Sequence, residues 1–298
     1  MSEAEIFSLT AADGAELKVR RWMPPVGQTP RAVVVYLHGI QSHGGWYAAS
    51  ASHLAEAGMA VYLPDRRGSG LNAADRGDCR HWEQLARDVT DLEARALADC
   101  RAPAGRRLPL GLLAVSWGGK LAAALAAMHH GRYAAVALLC PGICPQRDVP
   151  GHVKAKIARA LVRKRPEQRF EIPLADPHLF TATPRWLEFL REDPLALRDA
   201  TARFLSESRR LDQFIAWAAP WIHAPVFLAL AGRDAIIDNA RTQAYFARIG
   251  SRDKRVKVYE QAHHTLEFEA DPTPVFVELA DWFIERFGPG NSQGGNER

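Results

Sequence analysis

Residues 110–125 read LGLLAVSWGGKLAAAL. Six apolar residues, Leu110 to Val115, have the character of a buried strand. Ser116 follows, and Trp117, Gly118 and Gly119 lead at once into an Ala/Leu-rich run that predicts a helix from Lys120 onward. A strand, a sharp turn carrying a serine and a helix are therefore expected. A serine at such a turn stands off the sheet edge above a helix N-terminus, where developing negative charge is favoured. The competing reading is a helix cap. What separates the two is whether the chain supplies a base, an acid and oxyanion donors in a compatible order.

Working outward, AVVVYL at Ala32–Leu37 and MAVYL at Met59–Leu63 are apolar runs of the kind buried on both faces of a parallel sheet. Helical spacing at Trp46–Ala57 and His81–Ala98 separates these strands from one another and from residues 110–115, and Tyr133–Cys140 reads as a further strand. Strand and helix in alternation imply right-handed crossovers and a doubly wound, mostly parallel α/β sheet with helices on both faces. Ile6–Leu9 and Glu16–Trp22 flank Asp13-Gly14 and predict an opening hairpin.

From Pro141 to about Ile222 the alternation stops, and seven prolines from Pro145 to Pro194 punctuate short helical patterns. The alternation resumes with a strand at Pro225–Ala231, a helix at Asn239–Ile249, a strand at Arg255–Tyr259 and a helix at Thr273–Phe287. The expected organisation is a core of residues 1–140 and 223–288, an inserted helical cap at 141–222, and a disordered, Gly-rich tail at 289–298.

A length of 298 residues suits one large α/β domain with an insertion, or two small domains. The net charge of +4 is too small to argue for nucleic-acid binding, and no apolar run reaches the ~18 residues of a membrane span. The start, MSEAEIFSL, lacks a basic segment followed by an apolar one, so a cytoplasmic protein is expected. Cys79, Cys100, Cys140 and Cys144 read as free thiols, since no second Cys/His pair completes a metal knuckle around Cys140 and Cys144.

A serine hydroxyl needs an imidazole to take its proton and a carboxylate to orient that imidazole. In a doubly wound sheet both come from loops at the carboxyl ends of strands. Ala231-Gly232-Arg233-Asp234 closes one late strand with an acid, and Gln261-Ala262-His263-His264 closes the next with two histidines. Asp234 directly follows its strand, whereas Asp238 is placed to cap the helix from Asn239. The order Ser, Asp, His is that of α/β-hydrolases. Backbone N–H groups of Trp117 and of Ile40, in the loop after AVVVYL, are the candidate oxyanion donors.

These segments resemble the monoglyceride lipase and lysophospholipase-like, S33-type branch of the α/β-hydrolases, along nearly the whole chain. HGIQSHGGWY at His38–Tyr47 is similar to that branch's HGxGEHxGRY. PDRRGSG at Pro64–Gly70 resembles D-x-R-G-H-G-x-S, with Ser69 where histidine is usual. VSWGGK resembles H-S-M-G-G, AGRDAIID resembles G-x-x-D-x-x-x-D, and YEQAHHTLEFE resembles Y-E-G-A-x-H-x-L-x-x-E. The last register selects His264 as the base.

The resemblance implies a serine hydrolase that cleaves a carboxylic ester of a monoacylglycerol, lysophospholipid or similar acyl group through an acyl-enzyme. Ser116, Asp234 and His264 would be catalytic, and no metal or cofactor would take part. Gln41, in place of a glycine, Trp117 and His263 are candidate substrate contacts, with Trp117 expected to narrow the acyl side. Ala114 replaces the first glycine of G-x-S-x-G. His38 and His43 are expected to order the oxyanion loop, Asp65 and Arg66 to hold their turn, and Ser69 to be a loop residue.

Between Arg147 and Glu171 the insertion carries eight Lys/Arg against three Asp/Glu. A solvated cap helix accounts for this, and so does a basic amphipathic helix facing an anionic membrane or acidic carrier. The alternative functions are accordingly a thioesterase on carrier-bound acyl groups and a catalytically silent binding protein on the same fold.

Overall fold

The computed structural model describes residues 3–100 and 107–288; the tail expected at 289–298 lies outside them. In chain order the elements are β1 (Glu5–Thr10), β2 (Glu16–Trp22), β3 (Ala32–Leu37), α1 (Ala48–Glu56), β4 (Met59–Pro64), α2 (Trp82–Asp99), β5 (Leu110–Val115), α3 (Trp117–Met128) and β6 (Ala135–Leu139). They continue with α4 (Gly151–Val162), β7 (Arg169–Glu171), α5 (Pro184–Glu192), β8 (Asp199–Thr201), α6 (Ala202–Ala218), β9 (Val226–Ala231), α7 (Asn239–Ala247), β10 (Lys254–Tyr259) and α8 (Thr273–Phe287).

Eight strands form the main sheet in the order β1-β2-β4-β3-β5-β6-β9-β10. The six from β4 to β10 are parallel, and the β1–β2 hairpin is added antiparallel at one edge. Every residue of β3, β5, β6 and β9 is buried, as the continuous apolar runs require of strands covered on both faces. The strand order reverses at β3, which lies between β4 and β5. Open α/β sheets place their sites at the carboxyl ends of strands beside such a switch point. Leu37 pairs with Ala114 across β3 and β5, so the loop after β3 and the turn after β5 emerge side by side.

The helix α3 sits unusually close to the sheet. A Cβ at Gly118 would lie 2.6 Å from the carbonyl oxygens of Leu37 and His38, and one at Gly119 would lie 2.5 Å from Pro141 Cβ. The paired glycines after the serine therefore seat the helix directly over β3 and the end of β6.

Three local outcomes differ from the sequence reading, the first being that α3 begins at Trp117, directly after the serine, and not at Lys120. The helix expected from Trp46 is a 3-10 turn at Gly44–Tyr47 followed by α1 from Ala48. In the insertion, β7 and β8 form a small antiparallel pair, Arg169 to Thr201 and Phe170 to Ala200. Three-residue strands are too short to show a period of two. The inserted helix α6 packs on α3 and α2, and Lys120 Nζ of α3 lies 2.6 Å from Asp212 Oδ1 of α6. All four cysteines are free, and among the described residues no helix is long and apolar enough to cross a membrane.

Candidate active site

Ser116 occupies a backbone conformation of φ 52°, ψ −123°, which is strained for a residue with a side chain. It is held there because its N–H donates to Leu139 O while its own carbonyl accepts from Gly119 and Gly142. The turn throws the hydroxyl off the end of β5 toward the loops after β9 and β10. Those loops meet it with an acid and an imidazole.

The Ser116 hydroxyl lies 2.9 Å from His264 Nε2, and His264 Nδ1 lies 2.8 Å from Asp234 Oδ2. With Nδ1–H donating to the carboxylate, Nε2 is left with a lone pair that accepts the serine proton. The second Asp234 oxygen accepts the N–H groups of Ile236 and Ile237 at 2.8 and 3.0 Å. Burial alone would raise the Asp234 pKa. The adjacent His264 and these amide donors outweigh it and hold the carboxyl below its ordinary range. Asp238 instead caps α7 by accepting from Arg241 N–H.

Cys140 completes a close trio with Asp234 and His264 whose ligating atoms lie within 4.8 Å of one another. Burial first, and then the Asp234 charge, push its thiol well above its ordinary pKa. It is thus a protonated neighbour of the carboxylate, and the other two groups are already engaged with each other.

The loop after β3 comes close to the serine at Gly39. A Cβ there would lie 3.2 Å from Ser116 Cβ and 3.1 Å from Ser42 Oγ. The loop continues into Ile40 and Gln41. Gln41 is 2 % exposed, its carbonyl accepts from Leu197 N–H of the insertion at 2.9 Å, and among the described residues its side-chain Nε2 has no partner. The His263 backbone N–H donates to Glu269, and its ring Nδ1 lies 3.1 Å from the same carboxylate. The ring of Trp117 is engaged by α6: its Nε1 donates to Ser208 Oγ at 2.9 Å, and it stacks on Phe204 with centroids 5.4 Å apart.

The remaining polar residues of these turns form a buried frame. His38 Nε2 accepts from Arg66 N–H at 2.8 Å, so its proton sits on Nδ1, which donates to Gly39 O. Burial lowers the His38 pKa to about 3, which keeps the ring neutral. Ser69, fully buried, donates to Arg66 O and lies 3.2 Å from His38 Nε2. Asp65 accepts from Arg20, Gly44 N–H and Leu71 N–H. His43 Nε2–H and Trp46 Nε1–H both donate to Asp193 of the insertion.

Sequence reasoning missed Asp193, Phe204, Ser208 and Phe180, whose ring meets His264 edge-on at 6.1 Å. None of them has a spacing that marks it. Ser116 is 8 % exposed and His264 1 % exposed.

The sequence model of the family described as serine aminopeptidase, S33, matches residues 28–271. The chain is 26 % identical over 281 residues to the monoacylglycerol lipase of Mycolicibacterium smegmatis, covering 93 % of this chain and 96 % of that protein. It is 26 % identical over 285 residues to the human monoglyceride lipase, covering 93 % and 90 %. Among solved structures it is similar to a soluble variant of the monoglyceride lipase of Saccharomyces cerevisiae in complex with a substrate analog. The TM-score there is 0.82 at 20 % identity, with 96 % of each chain covered. The monoacylglycerol lipase of Paleococcus ferrophilus gives a TM-score of 0.79 at 21 % identity, covering 91 % of this chain and all of that one.

Proposed function

Because the chain belongs to the serine aminopeptidase S33 family of α/β-hydrolases, we propose that it is a serine hydrolase cleaving a carboxylic ester of a monoacylglycerol, lysophospholipid or similar acyl group. The observation that carries this is the continuous contact from Ser116 Oγ through His264 to Asp234. The names of the similar lipases support the substrate class.

In this reading Ser116 Oγ bonds to the ester carbonyl carbon and passes its proton to His264 Nε2. The carbonyl electron pair becomes an oxyanion, received by the N–H groups of Ile40 and Trp117. Collapse breaks the carbon–oxygen bond to the alcohol, which leaves with the proton from His264. A water then repeats the sequence: His264 takes its proton, the acid departs and Ser116 is restored. Asp234, kept ionised below its ordinary range, orients the imidazole and balances its transient charge. The insertion at 141–222 acts as a cap over the acyl group, with Phe180 as apolar wall beside His264. Gln41, whose buried amide donor has no partner among the described residues, and His263 are the proposed polar contacts to substrate.

Ser116→Ala tests the reading. Turnover of p-nitrophenyl esters should fall at least about 10⁴-fold, with the melting temperature unchanged. Fluorophosphonate labelling should be lost with it. Undiminished turnover in a folded variant would overturn the proposal, and failure of the unmodified protein to take the label would favour a silent binding protein.

A second reading, a thioesterase on acyl groups held by an acidic carrier, is favoured by α4. Lys156 and Arg159 on it and Arg163, Lys164 and Arg165 just past its end are exposed, and none of the five takes part in an ion pair among the described residues. The same face would meet an anionic membrane. Turnover of acyl thioesters well above that of matched oxygen esters would select this reading.

A further inference from the structure

We propose that Arg66 is a positioning residue for the oxyanion hole, holding the Ile40 donor through the loop carbonyls and the Trp117 donor through its ring. The inference rests on the serine-hydrolase reading and assigns a role that the family resemblance does not. In the D-x-R-G segment it is Arg67 that stands at the arginine position, and Arg67 is occupied with Asp88 and Asp13. Arg66 stands at the position that segment leaves open.

The contacts converge on both donors. Arg66 Nη1 donates to Gly39 O at 3.0 Å and Nη2 to Ile40 O at 2.9 Å. In a trans peptide the C=O and the following N–H point in opposite directions. Drawing the Gly39 carbonyl toward Arg66 therefore turns the Ile40 N–H to the opposite side of the loop. His38 Nδ1–H assists at Gly39 O, while Ile40 O takes its side-chain hydrogen bond from Arg66.

The same guanidinium lies over the Trp117 ring at 4.7 Å and over the Phe204 ring of α6 at 5.3 Å. Trp117, whose own N–H is the second donor, is thereby clamped between Arg66, Phe204 and Ser208. A planar fork that also stacks on aromatic faces can make both sets of contacts at once, and a lysine cannot. Burial lowers the Arg66 pKa to about 10, so the side chain remains a cation at neutral pH. The insertion thus supplies the outer wall of a bracket whose inner face orients both amides.

Arg66→Gln and Arg66→Lys, assayed on a short p-nitrophenyl ester and with a trifluoromethyl ketone as probe, test this. The ketone adds Ser116 Oγ to its carbonyl carbon, with the serine proton passing to His264, and so places an oxyanion where the transition state does. For Arg66→Gln, kcat should fall about 10- to 100-fold with KM changed less than about threefold, and ketone affinity should fall in parallel. Arg66→Lys, which keeps the charge without the fork, should recover part of both losses, and it provides the reading if Arg66→Gln does not fold. Values of kcat and ketone affinity within twofold of the unmodified protein, or a loss confined to KM, would overturn the inference. Fluorophosphonate labelling of the unmodified protein distinguishes the two failures. Without labelling, the hydrolase reading falls and this inference with it; with labelling and an unaffected Arg66→Gln, only the role of Arg66 falls.

Discussion

Asp234 has no spare oxygen: one takes His264 Nδ1–H and the other takes two backbone amides. Asp234→Asn keeps this shape but presents an amide whose N–H competes for the imidazole and favours the wrong tautomer. In the proposed mechanism kcat should fall by about 10⁴-fold with little change in melting temperature, checked by steady-state kinetics and thermal unfolding. The serine and this aspartate were legible because each closes a recognisable strand. The choice between His263 and His264 was not, because adjacent imidazoles are chemically identical on paper and only a motif register ranked them. In the folded chain successive side chains diverge, and His263 turns to Glu269 while His264 turns to Ser116. Trp117 was legible as bulky; that its bulk serves α6 was not, because Phe204 and Ser208 lie about ninety residues away.

At the scale of elements, the strands of the sheet are legible to within about two residues, and for β3, β5, β6 and β9 the reason is that burial on both faces leaves continuous apolar runs. The start of α1 was misplaced for an equally physical reason. Its first amides, Ala49 N–H and Ser50 N–H, are capped at 3.0 and 2.9 Å by Glu267, more than two hundred residues away, so no local cap marks the boundary. Burial raises the Glu267 pKa to about 7 against the opposing pull of those donors. Between about 4.5 and 7 the folded protein therefore holds a proton that the unfolded chain has released, and stability from this group falls as pH rises through that window. Glu267→Gln, which can still accept at the helix start, should remove that slope. Above pH 7 it should be the more stable form, by about 3 kcal/mol, measured by urea unfolding across pH.

For the molecule as a whole, the insertion packs on the core through α6 and is also tied by polar contacts to the loops that carry the site. Asp193 accepts from His43 and Trp46, Leu197 N–H reaches Gln41 O, and Phe180 O accepts Thr265 N–H beside His264. Burial would raise the Asp193 pKa, but the donors from His43 and Trp46 prevail and lower it. Its stabilising contribution is thus complete above the ordinary carboxylate range and is lost as pH falls through the lower folded value. Asp193→Asn should lower stability at pH 7 by about 1–3 kcal/mol, the difference from the unmodified protein narrowing in acid. Hydrogen exchange at pH 7 should rise first in residues 141–222.

The sequence by itself determined the doubly wound sheet, the turn carrying Ser116 and the loops carrying Asp234 and His264. Each of these is written locally, as an apolar run closed by a small or polar residue, and the order of runs constrains the crossovers. Only the tertiary structure decided what surrounds them: that Arg66 grips the two loop carbonyls, that α6 clamps Trp117, that Asp193 ties the insertion to the loop after β3, and that Glu267 caps a distant helix. These contacts join residues far apart in the chain. They have no period and no spacing, and they exist only because burial withdraws water from polar groups that must then find partners in one another.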